Sequence, residues 1–239
     1  MINCWCGCET EPQGNGYAAC VGCGTFVCES QPSDDEIKKL YGFQSYWQDN
    51  MKKVGQPVFE QRAVNDLNDR IPHWWNRVKE TPNLNSLLEI GCAHGGFLRY
   101  AFQNGVKHCF GFEPDAITAQ KATGNGAEVF PETFPENQIP PWPKALQAVC
   151  AFDVLEHSKD PLRFINAAAD LLVSNGRLFI QTPWYRNQGL KWEQFKPKEH
   201  LFIFTSEAIH KLLSVCGLDR IGFEYGIFPG DMFVIGKKA

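Results

Sequence analysis

The sequence predicts an α/β protein whose main body is a doubly wound, mostly parallel sheet, preceded by a small cysteine-rich module. Three observations predict it. From Asn85 onward, short apolar runs alternate with helical stretches. A Gly-rich turn follows the first buried run. Six of the ten cysteines (Cys4, Cys6, Cys8, Cys20, Cys23 and Cys28) crowd into the start of the chain. At 239 residues there is room for one full core and a satellite module. Hydrophobic residues at 44% and charged residues at 21% are the balance of a globular chain. A net charge of -4 and a pI near 5.9 supply no general attraction to phosphate backbones or anionic membranes, which disfavours nucleic acid as a partner.

The first residues lack a basic cluster followed by an apolar stretch, and no later segment has the apolar length of a membrane span. The expected location is the cytoplasm, with no membrane partner. In that reducing compartment a dense cysteine set points to a metal rather than to disulfides. Structural zinc takes four soft ligands in a tetrahedron, and short Cys pairs followed by Gly supply two each. The run Cys20, Val21, Gly22, Cys23, Gly24 fits that pattern. Cys4 and Cys6 are the expected opposing pair, with Cys8 as the leading substitute and Cys28 also within reach. The alternative is a loose tail with some thiols free. Residues 1–31 hold Glu9, Glu11 and Glu29 but no Lys or Arg, unlike a nucleic-acid-reading finger. The module, 1–32, is therefore expected to be structural or to wall a pocket. Cys92, Cys109, Cys150 and Cys216 lie in apolar segments and read as small core residues.

A helical linker or cap is expected over 33–83. Ser33 followed by Asp34, Asp35 and Glu36 is a helix start with acids in its first turn. Tyr41, Phe43, Tyr46 and Trp47 form an aromatic cluster suited to covering a ligand ring or to packing between modules. One longer helix is expected over about 57–79, with Phe59, Val64, Leu67, Ile71, Trp74, Trp75 and Val78 at roughly helical spacing and mostly in the core.

The main domain, 84–239, opens on a buried strand through Ser86, Leu87, Leu88, Glu89 and Ile90. It runs into the turn Gly91, Cys92, Ala93, His94, Gly95, Gly96, and a helix begins near Phe97. Such a turn lets backbone approach a ligand, with helix N–H groups aimed at it. The second strand, from His108 to Phe112, ends at Glu113 and Pro114. A carboxylate there can accept both hydroxyls of a ribose. The same pattern imitates a dinucleotide fingerprint, so an NAD oxidoreductase is one reading. Two features argue against it. Glu89, two residues before Gly91, suits a cationic ligand such as a methionine ammonium or sulfonium and would repel a pyrophosphate. In addition, a fourth strand ending at Phe152 and Asp153 leads through Glu156 and His157 to a helix start at Asp160 and Pro161.

At these residues the chain resembles the class I S-adenosylmethionine-dependent methyltransferases, from about Leu84 to the C-terminus. The stretch from Leu88 to Gly95 resembles the family's first motif, Glu113 matches its ribose-binding acid, and the segment from Phe152 to His157 resembles the one passing under the cofactor. Ala93 departs from the usual Gly and should narrow the turn. The resemblance implies a Rossmann-like, seven-stranded sheet and S-adenosylmethionine as cofactor, held by Glu89, Gly91, Cys92, Ala93, Gly95, Phe97, Glu113, Pro114, Phe152 and Asp153. The whole arrangement is similar to bacterial small-molecule methyltransferases, including zinc-ribbon-containing sugar C-methyltransferases.

A fifth strand is expected over 176–183, followed by Trp184, Tyr185 and a polar insertion reaching 199–205, then a helix over 206–216. Family topology adds an antiparallel pair, 218–225 with 232–237. Glu199 and His200 look like the Glu-His pair implicated in acid-base chemistry in the sugar C-methyltransferases. Because the sulfonium is already activated, the enzyme needs mainly to orient an acceptor and, where required, to remove a proton. His200 is the expected base, oriented by Glu199 or Tyr185. The structural alternative has His200 bonding backbone at a strand start. His157 is expected at a helix entry on the cofactor side, and His94 is expected to pack or to bond backbone. The expected function is methyl transfer to a small-molecule acceptor, such as a nucleotide-linked sugar or another cell-surface or secondary-metabolite precursor. The alternatives are an RNA methyltransferase with a zinc module, or a zinc-ribbon interaction protein with an inactive cofactor-binding domain.

Overall fold

The computed structural model describes residues 3–53, 55–124, 126–135 and 145–239; Met1 and Ile2 of the cysteine-rich module lie outside them. The chain divides into two compact units, Met1–Pro32 together with Ala151–Ala239, and Ser33–Cys150. One boundary falls after Pro32 and the other after Cys150 rather than 83, and the cysteine-rich residues associate with the C-terminal part of the chain.

In the unit Ser33–Cys150, Ser33 caps α1 (Asp34–Tyr41) through a reciprocal capping box with Glu36, as its acid-rich start predicts. A π-helical segment, Gln44–Asn50, and a short turn α2 (Met51–Lys53) follow. The single helix expected over 57–79 is instead two, α3 (Phe59–Asn68) and α4 (Arg70–Val78). Pro72 explains the break: it has no N–H to donate to the Asn68 carbonyl, and its ring would clash there. The Asp69 side chain then caps the new helix by accepting from the Arg70 amide. Phe59, Ile71, Trp74, Trp75 and Val78 are buried as expected, whereas Val64 and Leu67 are exposed. Next come β4 (Ser86–Ile90), α5 (Gly96–Gln103), β5 (His108–Phe112), α6 (Ala116–Ala122) and β6 (Ala127–Phe130). The strands β4, β5 and β6 pair in parallel, with Glu89 opposite Gly111 and Ile90 opposite Phe112.

The strand β7 (Leu146–Phe152) leads through a 3-10 turn, Leu155–His157, to α7 (Pro161–Leu171), capped by Asp160 with Pro161 in its first turn. β8 (Leu172–Pro183), α8 (Ser206–Val215), β10 (Leu218–Tyr225) and β11 (Asp231–Lys238) complete the main body. β11 lies antiparallel to both β10 and β8. The seven-stranded sheet has the order β10-β11-β8-β7-β4-β5-β6. A second sheet of four strands consists of β1 (Thr10–Pro12), β2 (Tyr17–Cys20), β3 (Phe26–Cys28) and β9 (Phe202–Ile203). The insertion after β8 thus supplies one strand to the cysteine-rich module, with Phe26 opposite Ile203 and Val27 opposite Phe202.

Candidate active site and metal centre

In the unit Ser33–Cys150, the β4–α5 turn is built on left-handed backbone at Gly91 (φ 71°), Ala93 (φ 46°) and Gly95 (φ 66°). Gly95 cannot be replaced cheaply, since a Cβ there would sit 2.9 Å from the Ala122 carbonyl oxygen. Ala93 tolerates φ > 0 at roughly 1–2 kcal/mol. The Gly91 and Cys92 amides both donate to the Phe112 carbonyl, at 2.8 and 3.0 Å, tying the turn to the end of β5. Glu113 follows directly: its Oε2 accepts from the Ala93 amide at 3.1 Å and its Oε1 from the Asp115 amide at 3.2 Å. Burial outweighs these bonds and raises its pKa to about 7. Glu89 is also buried, and among the described residues its Oε2 has no hydrogen-bond partner. Desolvation, then the nearby Asp66 and Glu113, push its pKa well above the carboxylate range. Cys92 and Phe97 turn into the core, Phe97 edge-on to Trp74 and Trp75. Pro114 follows Glu113 in the bend before α6.

His94 is held on both sides. The Gly96 amide donates to its Nδ1 at 3.1 Å, so Nε2 carries the proton and donates to Asp66 Oδ2 at 3.0 Å. Asp66 in turn accepts from Arg62 Nε at 2.7 Å and lies 3.4 Å from Arg70 Nε. Burial opposes ionisation of Asp66, but the His94 bond and Arg62 override it and lower its pKa. Helix α3 is thereby pinned to the Gly-rich turn, a link the sequence reading missed. Its signal was Arg62, Asp66 and Arg70 at spacings of four on a helix. Asp66→Ala is expected to destabilise the protein by about 3 kcal/mol, because it strands His94 and two guanidinium groups. A denaturant midpoint equal to wild type would remove Asp66 from this role. The aromatic cluster packs locally in the same unit: Trp47 and Phe43 lie edge-on to Phe59, at 5.5 and 5.3 Å between centroids.

In the unit Met1–Pro32 with Ala151–Ala239, the sulfurs of Cys4, Cys6, Cys20 and Cys23 all lie within 4.8 Å of one another. The closest pairs are Cys6 with Cys20 at 3.4 Å and Cys4 with Cys23 at 3.6 Å. The hydrogen bond between the Cys4 and Cys23 sulfurs lowers the pKa of Cys23 to about 5. Cys8 packs beside this cluster, where Gly22 makes room for it: a Cβ on Gly22 would lie 2.3 Å from the Cys8 sulfur. Cys28 bonds elsewhere, to the Ser30 carbonyl and the Lys198 amide, each at 3.4 Å.

The same unit brings Glu156, His157 and His200 together, with one ligand atom from each within 4.8 Å of the others. His157 Nδ1 lies 2.7 Å from the Glu199 carbonyl, and His200 Nδ1 lies 2.8 Å from the Gln194 carbonyl. The orienting group on His200 is therefore a backbone carbonyl, rather than the side chain of Glu199 or Tyr185. The Glu199 carboxylate lies 3.7 Å from Lys196. Tyr185 packs on Phe26, Phe195 and Trp192. Burial lowers the pKa of both histidines and raises that of Glu156. Glu156 Oε2 accepts from the Thr182 hydroxyl at 2.9 Å. The Tyr17 hydroxyl donates to the His200 carbonyl at 2.7 Å, linking the cysteine-rich module to this cluster. Asp153, in left-handed backbone at φ 56°, exchanges bonds with Gln181: its amide donates to the Gln181 carbonyl and its Oδ1 accepts from Gln181 Nε2, both at 2.9 Å. Phe152 is buried and stacks on Phe233. Tyr17, Thr182 and Gln194 were missed in the sequence, and Glu156 was read only as part of the segment leading to the helix at Pro161.

A seven-stranded α/β sheet with a Gly-rich turn after its first parallel strand and an acid after its second defines a methyltransferase-type fold. The methyltransferase-domain family matches residues 56–221, and the chain belongs to that family. The ubiquinone biosynthesis O-methyltransferase of Xylella fastidiosa (strain M23) is 28% identical over 153 residues, covering 62% of this chain and 58% of that protein. The chain thus aligns with less than two thirds of that relative's length. Among solved structures, the magnesium protoporphyrin IX methyltransferase of Synechocystis PCC 6803 with bound S-adenosylmethionine superposes with a TM-score of 0.61 at 15% identity, covering 88% of this chain and 99% of that one. The [4+2]-cyclase SpnF gives a TM-score of 0.63 at 14% identity, covering 87% and 97%. These two similarities speak to the fold alone.

Proposed function

We propose that this protein transfers the methyl group of S-adenosylmethionine to a small-molecule acceptor. The observation that carries the reading is the buried Glu89 carboxylate, whose Oε2 lacks a hydrogen-bond partner among the described residues, beside the left-handed Gly91–Gly95 turn. An unpaired carboxylate so placed is stabilised by a cation, and S-adenosylmethionine brings an ammonium and a sulfonium. Glu113 would take the ribose hydroxyls, and the turn's backbone would lie against the cofactor. When bound, the sulfonium supplies an activated methyl. His200, anchored through Nδ1 on the Gln194 carbonyl, would help position the acceptor. Membership of the methyltransferase-domain family and the likeness to ubiquinone O-methyltransferases favour a hydroxyl-bearing acceptor; a nucleotide-linked sugar remains within the proposal. The net charge of -4 weighs against RNA. Because SpnF shares the fold, reaction class must be read directly. Calorimetry should show S-adenosylmethionine and S-adenosylhomocysteine binding at micromolar levels, and incubation with phenolic and sugar acceptors should release S-adenosylhomocysteine. Absence of cofactor binding by folded protein would overturn the reading and favour the inactive interaction protein.

Zinc at Cys4, Cys6, Cys20 and Cys23 is part of the same proposal. Four sulfurs about 2.3 Å from a tetrahedral ion are about 3.8 Å apart, and the pairs at 3.4 and 3.6 Å need only slight expansion. The Gly22 amide points at the Cys20 sulfur at 3.4 Å, as a thiolate favours. We place the protein in the cytoplasm, where such thiols stay reduced. Among the described residues, no helix is long and apolar enough to cross a membrane.

A further inference from the structure

We propose that Glu156, His157 and His200 form a second metal site, separate from the cysteine cluster, that takes a divalent first-row transition ion of the zinc type. The geometry rests on the two ring anchors. A backbone carbonyl can only accept, so the 2.7 Å contact of His157 Nδ1 with Glu199 O and the 2.8 Å contact of His200 Nδ1 with Gln194 O place a proton on each Nδ1. In a neutral imidazole the lone pair then lies on Nε2. His157 Nε2 is 3.8 Å from Glu156 Oε1, and the rings of His157 and His200 are 5.0 Å apart at 66°. One ligand atom from each of the three residues lies within 4.8 Å of the others, with Glu156 and His200 buried and His157 half-buried.

The separations suit that assignment. Ligands about 2.1 Å from a tetrahedral ion lie about 3.4 Å apart, so contraction by a few tenths of an ångström closes the 3.8 Å gap. Carbonyl-anchored Nδ1–H groups are the usual outer support of metal-binding histidines. Two imidazoles with one carboxylate suit zinc and its neighbours better than magnesium or calcium. The ligands are also held from both sides. The Leu201 amide donates to the Glu156 carbonyl at 2.7 Å, Thr182 fixes Oε2 of Glu156, and Tyr17 fixes the His200 backbone. Three protein ligands leave a fourth position for an oxygen donor, either water or a hydroxyl of a substrate.

The test is metal stoichiometry on the full chain, loaded with zinc and desalted, with cobalt substitution to separate the sites by spectrum. Wild type should retain one ion more per chain than Glu156→Gln, which preserves the acceptor for Thr182, and one more than His200→Asn. The sulfur-to-cobalt charge-transfer band of the cysteine cluster should be equal in all three proteins. Should one variant fail to fold by circular dichroism, the other decides. Equal zinc content in wild type and the folded variant would overturn the proposal, as would a wild type whose metal is accounted for entirely by the thiolate band. Neither readout depends on methyl transfer.

Discussion

Glu113→Ala is expected to weaken S-adenosylmethionine binding by about 2–4 kcal/mol, a roughly 30- to 1000-fold rise in Kd. The wild-type carboxylate would accept two ribose hydroxyls in a site that excludes water, and its position is set by the Ala93 and Asp115 amides. The same group gives the affinity a pH dependence. Burial raises its pKa to about 7 in the folded protein, against an unfolded value near 4.5. Because the raised pKa favours the protonated form, this group's contribution to stability is full below the unfolded value and is lost as pH rises through about 7. Cofactor binding wants the ionised form, so affinity should rise over the same interval while apo stability falls. Glu113→Gln should flatten both trends. Calorimetric titrations from pH 6 to 8 would decide it: a Glu113→Ala protein with wild-type affinity would mean the ribose site lies elsewhere.

With zinc bound as proposed, removing it from the cysteine cluster, by chelation or by Cys20→Ser, should release far more than the first 32 residues. Structural zinc in such modules contributes on the order of 10–16 kcal/mol, and the segment it orders has little apolar core. The loss reaches beyond the module because β3 pairs with β9, the Tyr17 hydroxyl donates to the His200 carbonyl and the Cys28 amide donates to the Leu201 carbonyl at 2.9 Å. Hydrogen exchange should therefore accelerate at both 17–28 and 198–204, while β4 and β5 keep their protection. Protection retained at 198–204 after complete zinc removal would show that β9 is held without the module.

What could be read from the sequence was local. The run Ser86–Ile90, its Gly-rich turn and the acid after Phe112 are contiguous patterns whose physics needs no distant partner. The helix starts at Ser33 and Asp160 followed from their capping chemistry. The break at Asp69 was legible in principle, since Pro72 stood inside the expected helix, but the spacing of Trp74, Trp75 and Val78 masked it. Residues that only the fold brings together were out of reach. Tyr17 and His200 are 183 positions apart, and Asp66 and His94 are 28 apart. The partner of His200 was sought in the adjacent Glu199, yet that residue offers its carbonyl to His157 instead, because the chain reverses between Gln194 and His200.

The pairing of β3 with β9 also shapes how the chain is made. A ribosome adding roughly 5–20 residues per second completes the cysteine-rich module early, but the strand that covers the edge of β3 emerges only about 10–35 seconds later. During that interval Phe26 and Val27, both buried in the finished protein, lie on an open strand edge. Early metal capture by Cys4, Cys6, Cys20 and Cys23 would hold β2 and β3 as a hairpin while they wait. The shortness of β3, Phe26–Cys28, leaves a nascent neighbour little to pair with. Zinc supply during synthesis would then govern the yield of soluble protein, quite apart from any part the ion plays once folding is complete.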